Sequence, residues 1–205
     1  MRRRSAIFMR IRSRCGNSEE RRLHLNDNSR ILNHIDMIYP IVKYGREVLE
    51  KPGNQVVEFD GKLEKLVADM FETMYAANGV GLAAPQIGLP LRLTVIDTTC
   101  GEDPKAKLVL ANPEIVSMEG EQVQDEGCLS LPDFRAKTPR PERATVRAQD
   151  IHGKEFTMSG EGLLARAFCH EIDHLNGKLF ITHVGRLKRE SIKRRVRKMI
   201  KAGEW

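Results

Sequence analysis

The ten residues FCHEIDHLNG, Phe168 to Gly177, restrict the fold more than any other stretch of the chain. They contain H-E-x-x-H, and on an α-helix that spacing sets His170 and His174 one turn apart on one face, where both imidazoles reach a single ion. Glu171 lies beside them, within reach of a water on that ion. The plain alternative is a pair of surface histidines on an ordinary helix. Against it, the surrounding face is apolar and Glu171 fills the position of a general base.

A catalytic site of this kind takes three protein ligands and leaves the fourth position to water, so the third ligand decides the class of enzyme. In one peptidase arrangement, H-E-x-x-H-x-x-G-x-x-H, the third ligand is a histidine six residues past the second; Gly177 matches the glycine, but Phe180 stands where the histidine is required. Glutamate is the other familiar choice. Glu190 sits inside a basic segment, however, and Glu204 lies at the chain end. Upstream, in DEGCLSLPDFR, Cys128 falls among small and apolar residues in an expected strand or strand edge. A thiolate there would complete a Cys-His-His set, whereas a buried structural cysteine is the common reading of such a residue taken alone.

The chain of 205 residues is 40% hydrophobic, enough for one compact domain, and no run of 18 apolar residues provides a membrane span. A soluble protein is expected. The four cysteines, Cys15, Cys100, Cys128 and Cys169, form no C-x-x-C pair, which points to a reducing compartment and free thiols. The net charge of +6 is concentrated at the ends: six arginines fall in the first 14 residues, and RLKRESIKRRVRKMIK, residues 186–201, sets nine basic residues against Glu190. Such runs are read as solvated surface or as attraction to a polyanion such as RNA.

Residues 1–36 show no sustained period and are read as an N-terminal extension: a tail, a start-site artefact with Met37 as the true start, or a targeting peptide. Residues 37–205 form the expected catalytic domain. Asp60 caps a helix whose Leu63, Leu66, Val67, Met70, Phe71 and Met74 make a core stripe ending at Asn78-Gly79. NGVGLAAPQIG then reads as a glycine-rich loop. LRLTVID, KLVLANPEIV and ATVRAQDIHGKEFTM are strand-like, the last with a hairpin turn at D-I-H-G. A second helix is expected from about Gly160 to Asn176, capped by Ser159 and followed by Gly177, and a third from about Lys188 to Lys201 with Ile192, Val196, Met199 and Ile200 facing inward. The fold class is α+β: mixed or antiparallel sheets packed around a central metal-binding helix, with a basic amphipathic C-terminal helix.

Three ordered segments, GVGLAAPQ (Gly79–Gln86), EGCLS (Glu126–Ser130) and HEIDHLNG (His170–Gly177), resemble the peptide deformylase family. The similarity runs from about Met37 to Lys201. It implies a ferrous ion, replaceable by Zn2+, Ni2+ or Co2+, held by Cys128, His170 and His174, with Glu171 as the acid and base. The implied reaction removes the formyl group from the N-terminal formyl-methionine of newly made proteins and releases formate. The resemblance further implies an oxyanion site made by the Gln86 amide and the Leu129 backbone N–H, and a substrate-backbone contact from Arg135. One departure stands out: the family has glutamine where this chain has Cys169, which on a helical wheel points away from the histidine face.

Gly81 fits close backbone approach of a substrate. Leu163 and Ala167 lie on nearly the same face as the histidines, and with Val80 they would wall an apolar pocket suited to methionine, with ordinary core packing as the alternative. Glu126 is expected in a buried ion pair with Arg140, and Asp173 in a structural ion pair. The resemblance also implies that the C-terminal helix contacts ribosomal RNA, in a bacterial-type cytoplasm, or in an organelle if residues 1–36 are a targeting peptide. A metallopeptidase and an RNA-binding protein with a structural metal are the rival readings. Oligomeric state is not legible.

Overall fold

The computed structural model describes residues 37–205; the readings of residues 1–36 and of Cys15 lie outside the described residues. Residues 37–44 run extended across later parts of the chain. The Met37 N–H donates to Asp69 Oδ1 (2.9 Å) and the Tyr39 N–H to Thr73 Oγ1 (3.0 Å). The Val42 and Tyr44 N–H groups then donate to the carbonyls of Gln86 and Ser130, each at 2.8 Å.

Helix α1 spans Gly61–Ala76, and Asp60 caps it by accepting from the N–H groups of Lys62 and Leu63 at 3.0 and 3.1 Å. Such a cap contributes about 1 kcal/mol. Leu63, Val67, Met70, Phe71 and Met74 are buried, as their spacing requires.

The strands are β1 (Gly81–Ala83), β2 (Leu93–Ile96), β3 (Leu108–Glu119), β4 (Gln122–Cys128), β5 (Leu131–Arg140), β6 (Arg143–Gln149) and β7 (Glu155–Glu161). All pair antiparallel, in a five-stranded sheet ordered β1-β2-β3-β6-β7 and a separate hairpin β4-β5. The α+β class holds, with three α-helices among the described residues. Side-chain alternation gives the large sheet two apolar faces. Leu82, Leu93 and Val95 join the core around α1, while Val80, Ile96, Leu110 and Val146 pack with Ala165, Ala167, Phe168 and Ile172 of helix α2 (Leu163–Leu175).

NGVGLAAPQIG is not a loop. Gly81–Ala83 form β1, paired with β2, and Ala84–Ile87 make a 3-10 helix, every residue buried. A short apolar run buried on both faces lacks the alternation that marks a strand, and its glycines read as turn signals.

The start of α2 also differs from expectation. Ser159 is no cap: with Gly160 it belongs to β7, where its hydroxyl meets that of Thr145 at 2.8 Å. The chain turns at Gly162, at φ +54°, so the helix begins at Leu163. Gly160 is needed for packing, since a β-carbon there would come within 2.6 Å of Leu164 Cγ and 2.8 Å of the Phe168 ring.

Helix α3 spans Arg186–Lys201, one half-turn longer at its start than expected. It buries Ile192 and Val196 against the β4-β5 hairpin, with Met199 partly covered. Ile200, one turn beyond Val196 in the last turn of the helix, is less covered than expected and stays 49% exposed. Among the described residues no helix is long and apolar enough to cross a membrane.

Candidate metal centre

Two elements of different origin meet at the end of the β4-β5 hairpin. β4 terminates at Cys128, and α2 presents His170 and His174 opposite it. Their ligand atoms all lie within 4.8 Å of one another, with Cys128 Sγ 3.1 Å from His174 Nε2. The imidazoles sit 5.0 Å apart at 72°. Phe180, at the position where a peptidase would carry its third histidine, is fully buried and stacks on His170 at 6.5 Å. Glu190 and Glu204 are exposed.

Electrostatics favour the thiolate of Cys128, which an ion requires, and also the protonated form of His170, whose proton an ion must displace. Burial opposes ionisation of Cys128, but the facing imidazoles of His174 and His170 outweigh it and pull the thiol down to about 5. Burial works against a charged His170 as well; the sulfur and Glu126 prevail and hold its pKa well above the usual imidazole value. His170 Nδ1 lies 2.7 Å from Glu126 Oε1, so its Nε2 is the nitrogen left for an ion. Glu126, with no exposed surface, also accepts two bonds from Arg140, at 2.7 and 3.1 Å, and one from Arg166 at 2.6 Å. Desolvation would raise its pKa, yet these partners drive it far below the carboxylate range.

Glu171 has the opposite environment. It is 1% exposed, its Oε2 has no hydrogen-bond partner, and burial pushes its pKa up to about 7 despite the pull of the two imidazoles. Gly81 explains how it fits: a β-carbon at that position would collide with the Glu171 carboxyl. The close approach at Gly81 is therefore that of the Glu171 side chain on α2. The donor set suits a divalent ion: one thiolate and two imidazoles leave a fourth position, and an unpartnered buried carboxyl lies beside it.

Gln86, 1% exposed, is fixed on the 3-10 helix by accepting the Ala83 N–H at 2.9 Å. Its Nε2 thereby points into the centre, 3.6 Å from Cys128 Sγ and 3.4 Å from Ser130 Oγ. Leu129 follows Cys128 and packs, half-buried, with the α1 core. Val80 and Ala167 share the core between sheet and α2, Leu163 is half-buried at the first residue of α2, and Arg135 lies on β5 opposite Gly127. Cys169 is not part of the converging trio; it is buried in the α2 core and its thiol is raised to about 11 by burial.

The expected Glu126–Arg140 pair is present, and Asp173 accepts from Arg140 at 2.6 Å and lies 2.7 Å from His183 Nε2. Arg166 escaped the sequence reading. Its signal was an arginine one turn before His170, on a helix otherwise apolar there.

A buried thiol, two imidazoles and an unpaired carboxyl on an α+β scaffold form a group that could hold a metal ion and serve hydrolysis. The family model described as polypeptide deformylase matches residues 38–190. Among its relatives, the peptide deformylase of Acidobacterium capsulatum is 59% identical over 169 residues, covering 82% of this chain and 99% of its own. The crystal structure of a peptide deformylase from Legionella pneumophila superposes with a TM-score of 0.75 at 48% identity, over 82% of this chain and 98% of its own. That of Synechococcus elongatus, solved in complex with actinonin, gives 0.72 at 37% identity, over 80% and 88%. The chain belongs to the polypeptide deformylase family, metal-dependent hydrolases that remove the N-terminal formyl group from newly made proteins.

Proposed function

We propose that Cys128, His170 and His174 hold a ferrous ion and that Glu171 is the acid and base of the deformylation. The convergence of the three ligand atoms within 4.8 Å, beside a buried carboxyl raised to about 7, carries this reading. A divalent ion held by Cys128, His170 and His174 would supply an acidified water near neutral pH. Glu171 is placed to accept a proton from a water at the fourth position and to hand it to the departing amine nitrogen, the formyl carbon taking the oxygen as its bond to nitrogen breaks. The Gln86 Nε2–H and the Leu129 backbone N–H donate to the formyl oxygen as charge develops on it.

Val80, Leu163 and Ala167 wall the pocket for the methionine side chain, Gly81 leaves room beside Glu171, and Arg135 holds the peptide backbone. Val80 and Ala167 are fully packed in the core cluster with Phe168 and Ile172, so the pocket role rests on the family resemblance. Iron follows from the family resemblance; a thiolate with two imidazoles binds zinc at least as tightly, so supply and geometry select the ion.

Helix α2 is the metal-binding element of the domain at residues 37–205, and residues 1–36 are an appended extension. The exposed basic side chains of α3 contact ribosomal RNA, so that the enzyme meets chains as they emerge, in a bacterial-type cytoplasm.

The deciding experiment offers a formyl-methionyl peptide and an internally quenched unblocked peptide to anaerobically prepared protein. Formate release from the first and no cleavage of the second is the expected outcome; internal cleavage would turn the assignment to a peptidase. Iron-loaded protein should lose activity in air while nickel-loaded protein keeps it. Equal decay of both would remove the ferrous assignment. Ribosome co-sedimentation should fall when residues 186–205 are deleted, and no change at low salt would remove the RNA contact.

A further inference from the structure

Among the described residues Arg166 is the bulkiest fully buried side chain, and its guanidinium bonds all reach one hairpin. Nη1 donates to Glu126 Oε2 at 2.6 Å and to the Thr138 carbonyl at 3.2 Å, while Nη2 donates to the Thr138 carbonyl at 3.2 Å and the Gln122 carbonyl at 3.4 Å. Those acceptors all belong to the β4-β5 hairpin, and Arg166 itself belongs to α2. The same two elements supply the metal ligands, His170 one turn after Arg166 and Cys128 two residues after Glu126.

Glu126 is pulled in two directions. Oε1 accepts from Arg140 Nη2 and lies against His170 Nδ1, while Oε2 accepts from Arg140 Nε and Arg166 Nη1. Arg140 is itself drawn toward Asp173 at 2.6 Å. Arg140 already gives Glu126 a two-point ion pair, and burying a second cation is costly, so pairing alone does not account for Arg166. What Arg166 adds is direction. It holds Oε2 from the α2 side, while Arg140 grips both oxygens from the hairpin and Oε1 faces the imidazole.

We propose that Arg166 is a positioning residue for the metal seat: by anchoring Glu126 between α2 and the hairpin, it fixes the orientation of His170 and the approach of Cys128 to the two imidazoles. The inference rests on the reading of Cys128, His170 and His174 as ligands. A ligand's hydrogen-bond partner sets its ring orientation, and loss of such a partner lowers metal affinity by about 10–100-fold. Arg166 acts one bond further out, through Glu126, and controls whether that partner stays in place.

The test compares Arg166→Met, Arg166→Lys and Arg92→Met in the full chain. Arg92 is the matched control, because it too ties α2 to the sheet, through the Leu175 and Pro113 carbonyls and Asn176, without touching Glu126. Each protein is titrated with Co2+ against a chelator, its visible d–d bands are recorded, and kcat and KM are measured with a formyl-methionyl peptide. Arg166→Met should weaken Co2+ binding by about tenfold, alter the d–d bands, and lower kcat with little change in KM. Arg166→Lys should recover most of the affinity, and Arg92→Met should leave affinity and bands at wild-type values even if its melting temperature falls. Wild-type affinity and bands in Arg166→Met, or an equal loss in Arg92→Met, would overturn the proposal. If the methionine variant does not fold, Arg166→Gln, which can still donate to the Thr138 carbonyl, is read by the same criteria. Should the wild type bind no Co2+, or Cys128→Ser bind it equally well, the ligand assignment itself falls, and the positioning role with it.

Discussion

Two glutamates at the centre, Glu126 and Glu171, are equally buried and behave in opposite ways. Glu126 meets four donors, two from Arg140 and one each from Arg166 and His170, and its carboxyl is driven far down. Glu171 keeps an oxygen with no partner, and burial lifts it to about 7. The difference teaches that depth alone does not set the role of a buried carboxylate. A saturated one is fixed and serves as an anchor; an unsaturated one keeps the capacity to accept a proton, which a hydrolytic step requires.

The sharpest way to break this contrast is to neutralise each carboxylate in turn. Glu171→Gln should lower kcat by about 10²–10⁴-fold, the usual worth of a general acid and base, with full metal content by elemental analysis. Glu126→Gln should instead lose metal affinity by about 10–100-fold. The assignment of roles fails if Glu171→Gln turns over normally or if the two variants share one phenotype. Next in size is Gln86→Ala, expected to cost about 10²–10³ in kcat if its amide meets the oxyanion. An unchanged kcat there would return Gln86 to a packing role.

The same contrast can be drawn between sulfurs. In metal-free protein the facing imidazoles favour the Cys128 thiolate, which should be alkylated by iodoacetamide, while Cys169, raised by burial in the α2 core, should not. Loading the ion should protect Cys128. Peptide mass mapping checks this, and labelling of Cys169 first would count against it.

The smallest effect concerns Asp97, a carboxylate satisfied in the manner of Glu126 but far from the centre in chemistry. It accepts from the Tyr75 hydroxyl at 2.6 Å, the Thr99 N–H and hydroxyl at 2.8 and 2.6 Å, and the Gly101 N–H at 2.8 Å. Burial opposes its ionisation, yet these donors hold its pKa below the ordinary value. A depressed folded pKa contributes stability that is complete above the unfolded value, about 3.9, and is lost as pH falls through the folded one. Asp97→Asn should lower the melting temperature by a few degrees at neutral pH and flatten the acid limb of the stability curve, while leaving deformylation intact.

Legibility in the sequence followed the range of the contacts. The His170–His174 pair and the α1 stripe were readable because helical periodicity is local. Asp60 was readable as a cap for the same reason. Cys128 was not fixed by any period, since its meeting with His174 spans 46 positions and depends on how the hairpin lies on α2. Only the likeness of the three segments to a known family joined them. Local cues also misled: Ser159 looks like a cap, but the pairing of β7 with β6 through Glu161 outweighs it. Arg166 gave a visible charge on an apolar stretch, whose meaning appears only once Glu126 and the Thr138 carbonyl are beside it.

Position 81 carries a genetic consequence. The volume that any side chain would need there is already taken by the carboxyl of Glu171. Every missense change of that codon adds at least one carbon and must displace the group assigned to move the proton. Saturation mutagenesis of the gene should therefore rank replacements at this site by how far they push the Glu171 carboxyl aside, with alanine the mildest and bulky side chains lost.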